Sequence, residues 1–64
     1  MDFQGAIDDY TKAIAIDPSV ADFYINRGLT EIQLKEKKNA CADFEKAVRL
    51  GDAKVNQLIS KYCY

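Results

Sequence analysis

Two stretches of the chain carry one pattern: AIDDYTKAI at residues 6–14 and ACADFEKAV at residues 40–48. They lie 34 residues apart, and their first, fourth, seventh and eighth positions are identical. The fifth position is aromatic in both, Tyr10 and Phe44. Small and apolar residues recur at steps of three and four, which predicts amphipathic helices. A period of this length is typical of proteins built from stacked helical hairpins.

Helical spacing continues over four segments, and strict alternation of apolar and polar residues is almost absent, so we predict an all-α fold of about four helices. The first helix covers about residues 2–16 and ends at Asp17, because a residue before proline is pushed out of the helical region. The second starts with Ser19 as its cap and runs to about Leu34. The short turns between segments predict antiparallel neighbours, stacked as hairpins.

The second half of the chain has equally clear helix ends. Residues 35–38 form a polar turn, and Lys38 or Asn39 opens the third helix. Gly51 is expected in the left-handed conformation that ends this helix, and Asp52 is expected to cap the next. The fourth helix is predicted from Ala53 to about residue 62.

Composition excludes several classes of function. The chain of 64 residues is one small domain, residues 1–64, with 9 basic and 10 acidic side chains and a net charge of -1. This charge attracts neither nucleic acid nor an anionic membrane surface. There is no histidine, and the two cysteines are too far apart in sequence for a zinc site, so we expect no metal and no cofactor.

We also expect no enzymatic activity. The adjacent carboxylates Asp8 and Asp9 point about 100° apart on a helix and cannot share a proton. The hydroxyl residues have no histidine to act as a base. Three lysines near residue 36 are interrupted by Glu36 and have no aromatic stacking platform, so a solvated turn is the expected role for Lys35, Lys37 and Lys38.

The repeated residues resemble the tetratricopeptide repeat family, whose units of 34 residues carry an aromatic, a glycine, two alanines and a proline at set spacings. The second helix of such a unit matches twice and the first helix once. The matching residues are Ala6, Tyr10, Ala13 and Pro18; Ala40, Phe44 and Ala47; and Tyr24 and Gly28. Arg27, Glu31 and Asp52 depart from the pattern.

The resemblance implies an α-solenoid fragment: residues 2–17 as the second helix of a partial repeat, residues 20–51 as a full repeat, and residues 53–63 as a capping helix. It also implies a scaffold that binds a peptide or protein along its concave face. The expected contact residues lie on one stripe of the second helix: Asp22, Ile25, Asn26, Leu29 and Gln33. The lysines and arginines that the family uses to bind a C-terminal carboxylate are absent from this stripe.

A structural role is the alternative, in which the chain caps a longer array or associates with itself and has no ligand of its own. In either case the first helix lacks the helix that pairs with it in a complete repeat, so we expect its half-covered apolar stripe to pair two copies, as a homodimer, through Phe3, Ile7, Tyr10 and Ile14. DNA binding is a third class, disfavoured because Asp43 and Glu45 offset the basic residues of the third helix.

Cys41 and Cys63 lie at about equal distances from the turn at Gly51, which brings them to one level of an antiparallel helix pair. A disulfide and two free thiols packed as small apolar groups are both consistent with this placement. A disulfide implies the cell envelope or the exterior, and free thiols imply the cytoplasm.

Overall fold

The computed structural model describes residues 2–64, which form four α-helices and one turn of 3-10 helix and contain no strand. The helices are α1 (Phe3–Ile16), α2 (Ala21–Gln33), α3 (Lys37–Arg49) and α4 (Asn56–Tyr62), with the 3-10 turn at Ala53–Val55. Consecutive α-helices pack as hairpins within a body of 26 × 25 × 15 Å. The predicted all-α fold of stacked hairpins is confirmed.

Asp2 and Asp17 define the two ends of α1. The backbone N–H of Gly5 donates to Asp2 Oδ1 at 2.8 Å, which satisfies one of the free N–H groups at the start of the helix. Asp17 is extended, as expected before Pro18. The helix therefore begins and ends where local sequence signals place its ends.

The prediction that Ser19 caps α2 is wrong. Val20 occupies the capping position and provides no side-chain hydrogen bond. Both the hydroxyl and the backbone N–H of Ser19 donate to Asp17 Oδ1, at 2.7 and 3.2 Å. These hydrogen bonds lower the pKa of the Asp17 carboxyl. The nearby carboxylate thus holds the Ser19 hydroxyl in the turn.

Two left-handed residues shape the later turns. Lys35, between α2 and α3, has a φ of 61°, and α3 then begins at Lys37, one or two residues before the predicted start. Gly51 has a φ of 104°, which confirms its predicted role after α3. Asp52 accepts a hydrogen bond from the N–H of Lys54 at 3.1 Å and caps the 3-10 turn.

The core lies between α2, α3 and the 3-10 turn. The side chains of Ala40, Phe44 and Ala47 are completely inaccessible, and Val55 and Tyr24 complete the cluster. A Cβ atom added at Gly28 would lie 2.6 Å from Phe44 Cε1, well inside carbon–carbon contact distance. Only glycine therefore allows α2 and α3 to approach this closely.

The C-terminal helix α4 packs on the outside of this core. It contains no buried residue, although its half-buried Leu58, Ile59 and Tyr62 contact the core. The ring centroid of Tyr62 lies 6.3 Å from that of Phe44. The sulfur atoms of Cys41 and Cys63 lie at bonding distance, with their Cα atoms 5.9 Å apart.

Candidate protein-binding face

The predicted contact stripe forms one face of α2. Asp22, Asn26 and Gln33 are exposed to solvent. Ile25 and Leu29 are half-buried, because each also packs against the core. This stripe, which we call the α2 face, therefore presents a row of polar groups beside two partly accessible aliphatic side chains.

Asn26 lies at the middle of the α2 face. Its side-chain amide offers two hydrogen-bond donors and one acceptor that can accept twice, which matches the N–H and C=O groups of an extended peptide backbone. The neighbouring Thr30 hydroxyl donates to the backbone carbonyl of Asn26 at 2.8 Å and is thereby engaged within the helix. Asp22 is the charged member of the face, and it gives the N-terminal end of the face a negative charge.

The opposite side of α2 carries an ion pair that the sequence did not predict. Arg27 Nε donates to Asp43 Oδ2 at 2.9 Å, and Arg27 Nη2 donates to Asp43 Oδ1 at 2.7 Å. Arg27 Nη1 also donates to Thr11 Oγ1 at 3.2 Å. The hydrogen bonds to Asp43 raise the pKa of the Arg27 guanidinium. One side chain of α2 is therefore bonded to both α1 and α3.

Glu31 lies beside this pair and is 6% exposed. Burial, together with a smaller contribution from hydrogen bonding to Asp43, raises the pKa of its carboxyl to about 8. Glu31 Oε1 has no hydrogen-bond partner among residues 2–64. The carboxyl consequently holds a proton at neutral pH, because the charged form would be desolvated next to another carboxylate.

Arg27, Glu31 and Asp43 form what we call the polar cluster, in which Glu31 and Asp43 are buried and Arg27 is half-buried, on the side of α2 away from the α2 face. In the sequence, Arg27 and Glu31 stand out only as departures from the tetratricopeptide repeat pattern. One signal for it was present: Glu31 follows Tyr24 by seven positions and Gly28 by three, so it falls on the buried stripe of α2. A carboxylate on that stripe requires a polar partner across the interface.

The predicted self-association stripe of α1 is partly covered. Ile7 is 9% exposed and belongs to the interior, whereas Phe3, Tyr10 and Ile14 are half-buried. Ile14 also packs against the main core. Three of the four residues thus retain accessible apolar surface, and pairing of two copies through α1 stays a prediction.

Residues 2–64 contain no helix that is both long and apolar enough to cross a membrane. Within the same residues, no cluster of three or more cysteine, aspartate or glutamate side chains is placed so that it could hold a metal ion.

The helical hairpins and the close α2–α3 contact at Gly28 define a helical-repeat protein. A family model described as TPR repeat matches residues 2–35, and a second, described as Tetratricopeptide repeat, matches residues 21–50. The chain therefore belongs to the tetratricopeptide repeat family, whose repeats generally mediate protein–protein interaction.

One curated relative is the E3 ubiquitin-protein ligase CHIP of Arabidopsis thaliana, which is 40% identical over 48 residues. The matched region covers 75% of this chain and 17% of the relative, so the similarity concerns a small part of that protein. No solved structure gives a significant match.

Proposed function

We propose that this chain is a protein-interaction module that holds a peptide or protein segment against the α2 face, and that it acts by binding, without catalysis. The observation that carries the proposal is the division of α2 into two sides. One side is committed to the core through Tyr24 and Gly28. The other leaves the amide of Asn26 exposed beside accessible aliphatic surface.

The dimensions of the α2 face suit an extended segment. Asp22 and Gln33 are eleven residues apart, which corresponds to about 16 Å along the helix axis at about 1.5 Å per residue. An extended peptide rises about 3.3 Å per residue, so about five of its residues would span the face. Such a segment would place backbone amides near Asn26 and apolar side chains against Ile25 and Leu29.

The composition of the α2 face favours some ligands over others. It contains no lysine or arginine and one carboxylate, Asp22. Recognition is therefore expected to use the backbone of the bound segment and its apolar side chains, and a free C-terminal carboxylate is not expected to be the anchor. Similarity to a ubiquitin ligase supports the repeat fold only, since the chain covers 17% of that relative.

Peptide selection followed by nuclear magnetic resonance tests this proposal. A displayed library of random twelve-residue peptides is selected on the immobilised chain, and one enriched peptide is synthesised and titrated into isotope-labelled protein. Amide shifts should concentrate on residues 22–33. Asn26→Ala should weaken binding by about tenfold, corresponding to the loss of one or two hydrogen bonds, while unfolding free energy changes by less than about 0.5 kcal/mol.

Asn39→Ala is the matched control, because Asn39 is an exposed asparagine on α3, away from the α2 face. It should leave the affinity unchanged. Equal affinity of the Asn26→Ala variant and the wild type, or shifts confined to α1 or α3, would refute the assignment of the α2 face. A library that yields no binding peptide would favour the structural alternative, a capping or self-association role without a ligand.

A further inference from the structure

The helix α4 is too short to be stable by itself. It contains seven residues, whereas isolated helices in water need about 12–15 residues to form even marginally. None of its residues is buried, and its contacts with the core come from half-buried side chains such as Leu58 and Tyr62. The position of α4 therefore depends on an additional connection between this helix and the rest of the fold.

Cys63 supplies that connection at the last turn of α4. Its sulfur is at bonding distance from the sulfur of Cys41 in α3, and the two Cα atoms are 5.9 Å apart, a usual separation for a disulfide. The enclosed segment of chain contains the turn at Gly51, the 3-10 helix and α4. A bond at this point restricts the helix that has no buried residue, because it fixes the C-terminal end of α4 against α3.

The cysteine pair is open to solvent molecules from one side. It borders a surface cavity of about 450 Å³, whose other lining residues are Lys37, Lys38, Glu45, Ile59 and Tyr64. The exchange of a disulfide requires an attacking thiolate to reach one of its sulfur atoms. A cavity of this size admits a small dithiol, and the two lysines of its lining outnumber the single carboxylate side chain, Glu45, which favours the approach of a negatively charged thiolate.

The core does not require α4 for its main contacts. Its buried members Tyr24, Ala40, Phe44 and Ala47 all lie in α2 and α3, and the remaining one, Val55, lies in the 3-10 turn before α4. Loss of α4 would uncover the flank of Phe44 that faces Tyr62 and would leave the α2–α3 interface and the polar cluster in place.

We propose that Cys41 and Cys63 form a redox-operated latch that holds α4 against α3 when oxidised and releases it when reduced. A dithiol supplies the two electrons and two protons. One of its thiolates attacks a sulfur of the pair, the protein disulfide breaks, and a mixed disulfide forms. The second dithiol sulfur displaces the protein sulfur, leaving two protein thiols and a cyclic oxidised dithiol.

Hydrogen–deuterium exchange on the whole chain, oxidised and after treatment with dithiothreitol, tests the latch. Protection of the amides of residues 59–62 should fall at least tenfold on reduction, because α4 then samples unfolded states. Protection of the α2 amides at residues 25–30 should change less than twofold. Reoxidation should restore the original pattern, and thiol titration under denaturing conditions should count zero thiols before reduction and two after it.

The variant Cys41→Ser/Cys63→Ser should resemble the reduced protein and should not respond to the dithiol. Cys41→Ala/Cys63→Ala provides a second version in case the serine hydroxyls disturb the packing at α3. Equal protection of α4 in the two redox states would overturn the proposal, as would two titratable thiols in protein purified and oxidised in air. Loss of protection in α2 and α4 together would also overturn it, since the bond would then support the entire fold.

Discussion

Gly28 lies in α2 opposite the ring of Phe44, and replacing it by alanine tests how closely the two helices must approach. A Cβ atom at this position would lie 2.6 Å from Phe44 Cε1, 3.0 Å from Phe44 Cδ1 and 3.2 Å from the backbone oxygen of Ala40. Ordinary carbon–carbon contacts are about 3.5–4.0 Å. The ring of Phe44 is completely buried, so any shift of the ring presses on its neighbours in the core, and we expect α2 and α3 to separate by up to about 1 Å.

Two opposing contributions determine the effect of Gly28→Ala on stability. Alanine is favoured over glycine inside a helix by about 1 kcal/mol. Forcing an additional carbon into a close-packed core costs about 1–3 kcal/mol, and here part of the resistance comes from a rigid backbone oxygen. The rigid oxygen places this cost in the upper part of its range, about 2–3 kcal/mol. We therefore expect a net loss of about 1–2 kcal/mol, a large share of the roughly 3–10 kcal/mol typical of a domain of this length.

Urea denaturation followed by circular dichroism measures this loss. A double-mutant cycle with Phe44→Leu supplies the control. Phe44→Leu alone should destabilise the protein by leaving a cavity. Gly28→Ala should destabilise the Phe44→Leu variant less than it destabilises the wild type, because the smaller side chain leaves room for the new methyl group. A Gly28→Ala variant as stable as the wild type, or effects that simply add, would contradict the close-contact argument.

Residues outside this contact also determine measurable properties of the protein. Because burial raises the pKa of Glu31 to about 8, the folded protein binds more protons than the unfolded chain between about pH 4.5 and pH 8. Its unfolding free energy should decrease as pH rises through that range, and Glu31→Gln should flatten the dependence in urea titrations at several pH values. Gly51→Ala should lower the unfolding free energy by about 1 kcal/mol in the same assay, although there is empty space around the residue, because the backbone φ of 104° is unfavourable for alanine. Lys35→Gly should lower it by less than about 0.5 kcal/mol, because glycine adopts the left-handed conformation at a φ of 61° without strain. The chain should self-associate between micromolar and near-millimolar concentration in sedimentation experiments, and Tyr10→Glu should shift it toward monomer.

A stability profile that rises between pH 5 and pH 8, or one that Glu31→Gln leaves unchanged, would show that the carboxyl is ionised in the folded protein. Equal losses of unfolding free energy for Gly51→Ala and Lys35→Gly would mean that the left-handed backbone conformation does not determine the preference for glycine at these positions. A single folded monomer at every concentration would show that the accessible part of the α1 stripe does not form an interface.

The sequence predicted the helices and their packing well because these depend on local signals and on a repeated pattern. The left-handed residue at Gly51 and the cap at Asp52 follow from short-range chemistry. The failure at Ser19 also has a local origin, because Ser19 takes part in a turn with Asp17 and the capping position of α2 falls one residue later, at Val20. The hydrogen-bonded turn between Asp17 and Ser19 forms in place of a serine cap on α2. Sequence alone does not show which of two such local arrangements is preferred.

The polar cluster was not predicted from the sequence, for a different reason. Arg27 and Asp43 are sixteen residues apart, and their contact exists only because α2 and α3 pack with one particular rotation. Helical periodicity shows which residues share a stripe, but it does not show which stripe of one helix meets which stripe of the next. The exposure of Asp22, Asn26 and Gln33 could be predicted because it required only that these side chains lie on the side of α2 away from the core, whereas binding at the α2 face stays a prediction.

The bond from Arg27 to Thr11 changes how the stability of a longer array would be distributed. In repeat proteins each unit has its own folding free energy, and a nearest-neighbour coupling energy decides whether adjacent units melt together. Here part of that coupling passes through a guanidinium group shared between α1, α2 and α3. Screening by salt weakens the ion pair between Arg27 and Asp43, which lies within one repeat. Added salt would therefore also free the guanidinium that reaches Thr11 in the neighbouring unit, so that the stability of one repeat and its coupling to the next would fall together.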